Sequence, residues 1–368
     1  VRLIMDIKKL INPGLLNLSP YKPGKPVEDL ERELGITNAI KLASNENPLG
    51  PSPIAIEAVN KILSGLNRYP DGNALRLKES ISNEYNVDID QITVGNGSND
   101  IIEFAVRSFL SSKDSAVFSE HAFAVYPLAV QTAGAEGIEV PSVNWGHDLE
   151  AMLGAVKENT KLVFIANPNN PTGTFISRDK IISFLDAISS DVIVFLDQAY
   201  FDYASYENND VDFEFVEEFP NLIISRSFSK AYGLAGFRVG YSVSSKVIAD
   251  YLNRVRQPFN ANSLALAAAE AALTDKAHMM NSLKMNSEQK TVLYKGLADL
   301  GYEFIPTHGN FICFDCKQDA NTAFNLLLKE GVIVRSMDVY KMPNHLRVTI
   351  GTPEENRIFL EKISKITF

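Results

Sequence analysis

Cysteine is nearly absent from this 368-residue chain: Cys313 and Cys316 are the only two, and tryptophan occurs once. With no second pair, the Cys313-x-x-Cys316 spacing supports neither a four-thiolate zinc site nor a disulfide scaffold. The surrounding Asn310-Phe311-Ile312-Cys313-Phe314-Asp315-Cys316 reads as a strand with two reduced thiols packed in it, as expected in a reducing cytoplasm. The five histidines (121, 147, 278, 308 and 345) show no H-E-x-x-H or paired spacing, so no metal centre is expected. Long apolar runs are missing too. Stretches such as Val192-Ile193-Val194-Phe195-Leu196 fall far short of the roughly 20 residues a spanning helix needs, and the start, with Asp6, Lys8 and Lys9, lacks a signal peptide's apolar core. A soluble protein is expected.

Basic residues are in deficit, 35 against 45 acidic ones, for a net charge of −10. That balance opposes a nucleic-acid or anionic-membrane partner, because neither phosphate backbones nor acidic headgroups attract a net acidic surface. It leaves room for small anionic ligands gripped by local arginines. There is no G-x-S-x-G nucleophile elbow and no G-x-x-x-x-G-K-S/T phosphate loop. What is present, 45% apolar and 22% charged residues, is the composition of an ordinary globular protein. At roughly 150 residues per domain the length predicts two domains.

Residues 1–50 are rich in turn signals (Asn12-Pro13-Gly14, Lys22-Pro23-Gly24, Asn47-Pro48-Leu49-Gly50) and read as an extended N-terminal arm. From 51 to 256 short apolar strands alternate with amphipathic helices. Strands are predicted at Ser115–Ser119, Lys161–Ala166, Asp191–Leu196, Leu222–Arg226 and Phe237–Val243, several of them continuous apolar runs typical of parallel strands covered on both faces. The alternation implies an α/β layer sandwich with a mostly parallel central sheet flanked by helices. From 257 to 368 an alanine-rich helix (Leu264 to Leu273), a more polar helix to about Leu300, and strands near 310–316, 332–335 and 346–350 predict a smaller α+β domain.

Chemistry concentrates in a few segments. In Ser227-Phe228-Ser229-Lys230-Ala231-Tyr232-Gly233, continuing to Arg238, a lysine follows an apolar strand among small residues. An amine desolvated there, or placed beside another cation, becomes a nucleophile, and Ser227, Ser229 and Arg238 make a compact phosphate-binding set. A Schiff-base lysine beside a phosphate site points to pyridoxal phosphate. Asp197, at the carboxyl end of a buried strand, is placed to hold a pyridine nitrogen protonated, and Tyr200 to hydrogen-bond a phenolate oxygen. Asn170, in Asn167-Pro168-Asn169-Asn170-Pro171-Thr172-Gly173, sits on a tight turn at another strand's end and becomes a second ligand of that oxygen. Gly95-Asn96-Gly97-Ser98-Asn99-Asp100 opens a helix whose first amides make an anion site. With aspartate where a dinucleotide fingerprint has its third glycine, it reads as a further contribution to the single phosphate.

Taken together, Asn45-Glu46-Asn47-Pro48, Arg68-Tyr69-Pro70-Asp71-Gly72, Asn169-Asn170-Pro171-Thr172-Gly173, Asp197-Gln198-Ala199-Tyr200 and Ser229-Lys230-Ala231-Tyr232-Gly233 resemble the class-II aminotransferases, and among them the histidinol-phosphate aminotransferases, from about Asn17 onward. The resemblance implies a fold-type-I pyridoxal 5'-phosphate enzyme working as a homodimer with shared active sites. It implies that Lys230 carries the cofactor and then moves the substrate proton, that Asp197 pairs with the ring nitrogen, and that Asn170 and Tyr200 hold the ring oxygen. Phe123 would stack on the ring. Ser98, Asn99, Ser227, Ser229 and Arg238 would bind the phosphate, with Tyr69 reaching in from the other subunit. Arg347 would clamp glutamate's α-carboxylate and, with Arg335 and Tyr21, the phosphate of histidinol phosphate. The chain departs from the usual family pattern at Gln198 (commonly Glu), Ser227 (commonly Thr), Ser98 (frequently Ala), Asn99-Asp100 (frequently Asp-Glu) and Phe123, which lacks a tyrosine's hydroxyl. The competing readings are an aromatic amino-acid aminotransferase, a phosphothreonine-type decarboxylase on the same fold, and a regulatory protein that binds the cofactor without turnover.

Overall fold

The computed structural model describes residues 10–16, 18, 27–206 and 212–366. At its centre lies a seven-stranded sheet. In spatial order its strands are Ile92–Gly95, Gly240–Ser244, Leu222–Ser227, Ile193–Asp197, Thr160–Ala166, Ser115–Ser119 and Glu136–Val140. Five neighbouring strands run parallel, while Gly240–Ser244 runs antiparallel to both its neighbours. The mostly parallel α/β architecture expected from the sequence is thus observed, with one reversed strand.

Strand alternation sorts the apolar runs into two cores. Leu162, Phe164, Ala166, Phe195 and Ile223 pack on one face with Ile101, Ile102, Ala105 and Val106 of helix Ser98–Phe109. Val163, Ile165, Val194, Leu196 and Ile224 pack on the other with Ile181, Phe184 and Leu185 of helix Arg178–Ala187. A continuous apolar strand is what a sheet covered on both sides requires.

A four-stranded antiparallel sheet, in the order Arg335–Ser336, His345–Thr349, Phe311–Asp315 and Phe304–Ile305, forms the second layer system. Ile312, Phe314, Leu346 and Val348 face Leu293 and Leu297 of the long helix Lys276–Asp299 and Phe359 of helix Pro353–Ser364. The opposite face of strand His345–Thr349 therefore carries Arg347 toward the larger sheet. Cys313 and Cys316 are both free and buried, and they fall in different apolar clusters.

Several sequence expectations shift. The strand expected at Phe237–Val243 begins at Gly240, because Ala235–Phe237 forms a 3-10 turn and Arg238 adopts a left-handed φ of 60°. The 332–335 stretch divides between two partners: Val332–Ile333 pairs in parallel with Ile40–Lys41, and Arg335–Ser336 pairs with His345–Thr349. The described part of the arm is not merely extended, since helix Val27–Leu34 places Leu30 against Ala43 and Ile333. The alanine-rich helix Ser263–Thr274, expected in the smaller unit, lends Ala265, Ala268, Ala269 and Ala272 to the large sheet's core. Among the described residues no helix is long and apolar enough to cross a membrane.

Candidate active site

A cavity of about 310 Å³ opens where the carboxyl ends of the parallel strands meet the smaller sheet. Such crevices at strand ends are where open α/β sheets bind ligands. Its wall gathers Ser98, Asn99, Phe123, Asn170, Asp197, Tyr200, Ser227, Ser229, Lys230, Arg238, Arg335 and Arg347, segments far apart in the chain. Two expected residues are not among them. Tyr69 is 82% exposed and stacks on Phe259 with ring centroids 4.6 Å apart, away from its own chain's cavity. Tyr21 lies outside the described residues.

Asp197 is the last residue of its strand and is 5% exposed. The Tyr126 hydroxyl donates to its Oδ2 (2.8 Å), and the Ala199 amide (3.2 Å) and Ser225 hydroxyl (3.4 Å) donate to Oδ1. Burial pushes the carboxyl up from its ordinary value, and these donors oppose the shift. No ion pair to Asp197 exists among the described residues, so it is a buried acid held ready for a cationic partner.

Lys230 follows strand Leu222–Ser227 on a tight turn flanked by the fully buried Phe228 and Ala231. Its Nζ donates to the Ser44 carbonyl (3.2 Å). Burial, then the positive charges of Arg347 and Arg238, bring the amine down to about 8, against the pull of Glu46 and Asp197. A lysine with that value has a substantial neutral, nucleophilic fraction near neutral pH.

The anion end is assembled by close backbone approach. Gly97 has φ +86°, and a Cβ there would meet Arg238 Nη2 at 2.6 Å. A Cβ on Gly240 would meet the Ser98 amide at 2.5 Å. These two glycines let the start of helix Ser98–Phe109, which has no side-chain cap, lie against Arg238, whose Nη1 donates to Ser229 Oγ (3.4 Å). The Ser229 amide donates to Ser227 Oγ (3.1 Å).

The turn bearing Asn170 is knitted by its neighbours. Asn167 bridges to Ile176 through both side-chain atoms, and Asn169 Nδ2 donates to the His121 carbonyl (2.6 Å). Asn170 Oδ1 accepts from Arg347 Nη1 (2.6 Å), and Arg347 Nη2 donates to the Ala43 carbonyl (2.9 Å). Arg347 Nε is buried without a hydrogen-bond partner among the described residues. Arg335 lies opposite Arg347 in the strand register, so two guanidinium groups project from one face toward the cavity. Tyr200 accepts from Asn45 Nδ2 (2.8 Å), and burial raises its hydroxyl to about 12.

Sequence reasoning gave no role to Tyr126, Ser225, Asn45, Glu46 or Tyr340. Tyr126 carried a faint signal, standing three residues after Phe123, and the two rings meet edge-on at 5.8 Å. Asn45 and Glu46 lay within a quoted motif. Ser225 and Tyr340 have no local signature, because a polar residue on a buried strand or in a short turn carries none.

The donor set fits pyridoxal phosphate in its chemistry. A helix start with two serines and an arginine suits a dianion, an unpaired buried acid suits a protonated ring nitrogen, and a depressed lysine suits an aldehyde. Fold and site together fit a pyridoxal-phosphate-dependent enzyme, and sequence comparison agrees. The chain belongs to the aminotransferase class I and II family, which matches residues 37–363. It is 53% identical over 363 residues to histidinol-phosphate aminotransferase 2 of Pseudomonas fluorescens, covering 98% of each chain. The protein of the same name from Pseudomonas aeruginosa is also 53% identical, again with 98% of each covered. Among solved structures, histidinol-phosphate aminotransferase from Sinorhizobium meliloti in complex with pyridoxal-5'-phosphate superposes with a TM-score of 0.88 at 27% identity, over 97% of this chain and 98% of that one.

Proposed function

We propose that this chain is an aminotransferase interconverting L-histidinol phosphate plus 2-oxoglutarate with imidazole-acetol phosphate plus L-glutamate. The observation that carries the reading is the pairing of two anchors across one cavity: a depressed, enclosed Lys230 over Asp197 on one side, and the register-paired Arg335 and Arg347 on the other. Near-complete coverage by relatives named for this activity supports it.

Bound pyridoxal phosphate supplies the electron sink that makes a substrate Cα proton removable. Ser98, Asn99, Ser227, Ser229 and Arg238 would hold its phosphate, Asp197 would keep its ring nitrogen protonated, Asn170 and Tyr200 would hydrogen-bond its ring oxygen, and Phe123 would stack on the ring. Lys230 Nζ would anchor it and then act as the base and acid of the 1,3-proton shift, taking the proton from the amino donor's Cα and, in the second half-reaction, delivering one to the acceptor's Cα. Arg347, with Arg335 and Tyr21, orients either the phosphate ester of the amino alcohol or the carboxylate of glutamate. The larger unit (51–256, with helix Ser263–Thr274 packed into its core) would thus hold the cofactor, and the arm (1–50), through Ala43–Glu46, and the smaller unit (257–368) would supply the substrate-facing wall. We also assign a cytoplasmic homodimer in which Tyr69 completes the partner's phosphate site, a reading supported by its exposure on this chain.

The test is spectroscopic. L-Histidinol phosphate added to the cofactor-loaded protein bleaches the visible cofactor band at low concentration, and 2-oxoglutarate restores it. A preferential response to L-phenylalanine would reassign the substrate to the aromatic amino acids. For the dimer, mixing Tyr69→Ala with Lys230→Ala protein regenerates intact sites and recovers activity, whereas strictly additive loss would refute sharing.

A further inference from the structure

Four cations and two carboxylates line the cavity: Lys230, Arg238, Arg335 and Arg347 against Asp197 and Glu46. The function proposed above employs all of them except Glu46. Glu46 is held with unusual care for a half-exposed side chain. On one side Asn45, 1% exposed and at φ +54°, donates to Tyr200 while its amide donates to Thr349 Oγ1 (2.9 Å). On the other side Asn47, 8% exposed, donates to the Ala231 carbonyl (2.8 Å) and to Ser282 Oγ (2.9 Å). Asn310 Nδ2 donates to the carbonyl of Asn45 (3.1 Å), and that of Glu46 is 3.4 Å away. Two buried asparagines therefore pin the backbone on either side of Glu46 to the same loops that present Lys230 and Tyr200. The carboxylate itself is half anchored: Oε1 accepts from Lys41 Nζ at 2.9 Å, and Oε2 has no hydrogen-bond partner among the described residues. Its charge is felt at Lys230.

We infer that Glu46 is the specificity residue for the non-reacting end of the amino donor, with Oε2 accepting a ring N–H of the substrate's imidazole. The inference rests on the function proposed above. The substrate's amine goes to Lys230's end of the cavity and its phosphate to Arg335 and Arg347, which leaves the heteroaromatic ring as the one polar group without a counterpart. An imidazole offers an N–H donor and carries partial positive charge near neutral pH. A pinned carboxylate with one oxygen turned free is the acceptor that such a donor needs. Lys41 sets its direction and keeps the site from holding an uncompensated charge when glutamate, which has no ring, occupies it. A phenyl ring finds no partner there and leaves Glu46 desolvated, which disfavours it.

The experiment compares two phosphate esters on the cofactor-loaded enzyme: L-histidinol phosphate and the phosphate ester of L-phenylalaninol, identical in amine and phosphate and differing in the ring. The expected result is that Glu46→Ala lowers the ratio of their kcat/KM values at least tenfold, carried by KM for the imidazole ester. Glu46→Gln, which keeps an acceptor oxygen, should lower it less. A ratio within twofold of the parent, or an equal loss on both esters, would overturn the inference, because a merely structural salt bridge to Lys41 weakens both alike. Thermal melting of each variant shows that the fold persists. If the parent enzyme exchanges the amino group of glutamate with 2-oxoglutarate but turns over neither ester, the proposed function fails, and this inference falls with it.

Discussion

The two walls of the cavity are built differently. The cofactor-facing wall comes from strand ends and turns of one sheet: Asp197 and Ser227 end their strands, and Ser98, Lys230 and Asn170 stand three or four residues beyond one, each strand carrying a largely buried apolar run. The substrate-facing wall is composite. Arg335 and Arg347 come from the small sheet, Glu46 and the Ala43 and Ser44 carbonyls from the arm, and Tyr340 from a short turn. The first wall is set by a rigid two-faced core, and the second depends on three segments meeting. In the function proposed above the cofactor is held by the rigid wall and the substrate is selected at the composite one, where sequence change disturbs the core least.

Substitutions can break that comparison in order of severity. Lys230→Ala removes both anchor and proton carrier, and turnover should fall by at least about 10⁴-fold with loss of the visible cofactor band. Asp197→Asn should lower kcat/KM on the order of 10²-fold, because about 3 kcal/mol of charge pairing at the ring nitrogen disappears; steady-state kinetics with glutamate measures it.

Tyr126→Phe deletes a donor to a carboxylate, a bond of about 1.5–3 kcal/mol. Cofactor affinity should weaken at least tenfold in a fluorescence titration, and unchanged affinity would show that Ser225 and Ala199 hold Asp197 without help. The two walls also meet electrostatically. Because Arg347 is the second cause of the low Lys230 value, after burial, the neutral amine fraction that captures the cofactor should rise with pH through about 8. Arg347→Ala should move that midpoint upward, as read from the pH dependence of the capture rate. Arg347→Ala should also cost more in KM for the phosphate ester than Arg335→Ala, since Arg347 is buried and Arg335 is partly exposed.

The smallest effect is expected at the thiols. Burial pushes Cys313 up to about 12 and Cys316 up to about 11, and the two lie in separate clusters. Alkylating or oxidising reagents near pH 8 should leave activity unchanged, since reaction requires thiolate.

Much of the rigid wall was legible in the sequence because strand-end residues sit beside the apolar runs that place them. Lys230, Asp197 and Asn170 announce themselves by following such runs, and the continuous runs Thr160–Ala166 and Leu222–Ser227 report burial on both faces. Strand direction was not legible: nothing local distinguishes Gly240–Ser244, reversed in the sheet, from its parallel neighbours. Its start is not legible either, because the 3-10 turn Ala235–Phe237 and a left-handed φ at the non-glycine Arg238 leave no mark in residue type.

By itself, then, the sequence determined the alternation of strands and helices and marked the candidate reactive groups beside the apolar runs, since these depend on residue type and short-range order. Only the tertiary structure decided that Arg335 and Arg347 stand side by side, that Tyr126 holds Asp197, that the C-x-x-C thiols turn into different cores, and that Glu46 is pinned at the cavity between two buried asparagines. Those relations join residues up to about 300 positions apart, and they arise from packing one buried surface against another, for which no stretch of chain carries a local code.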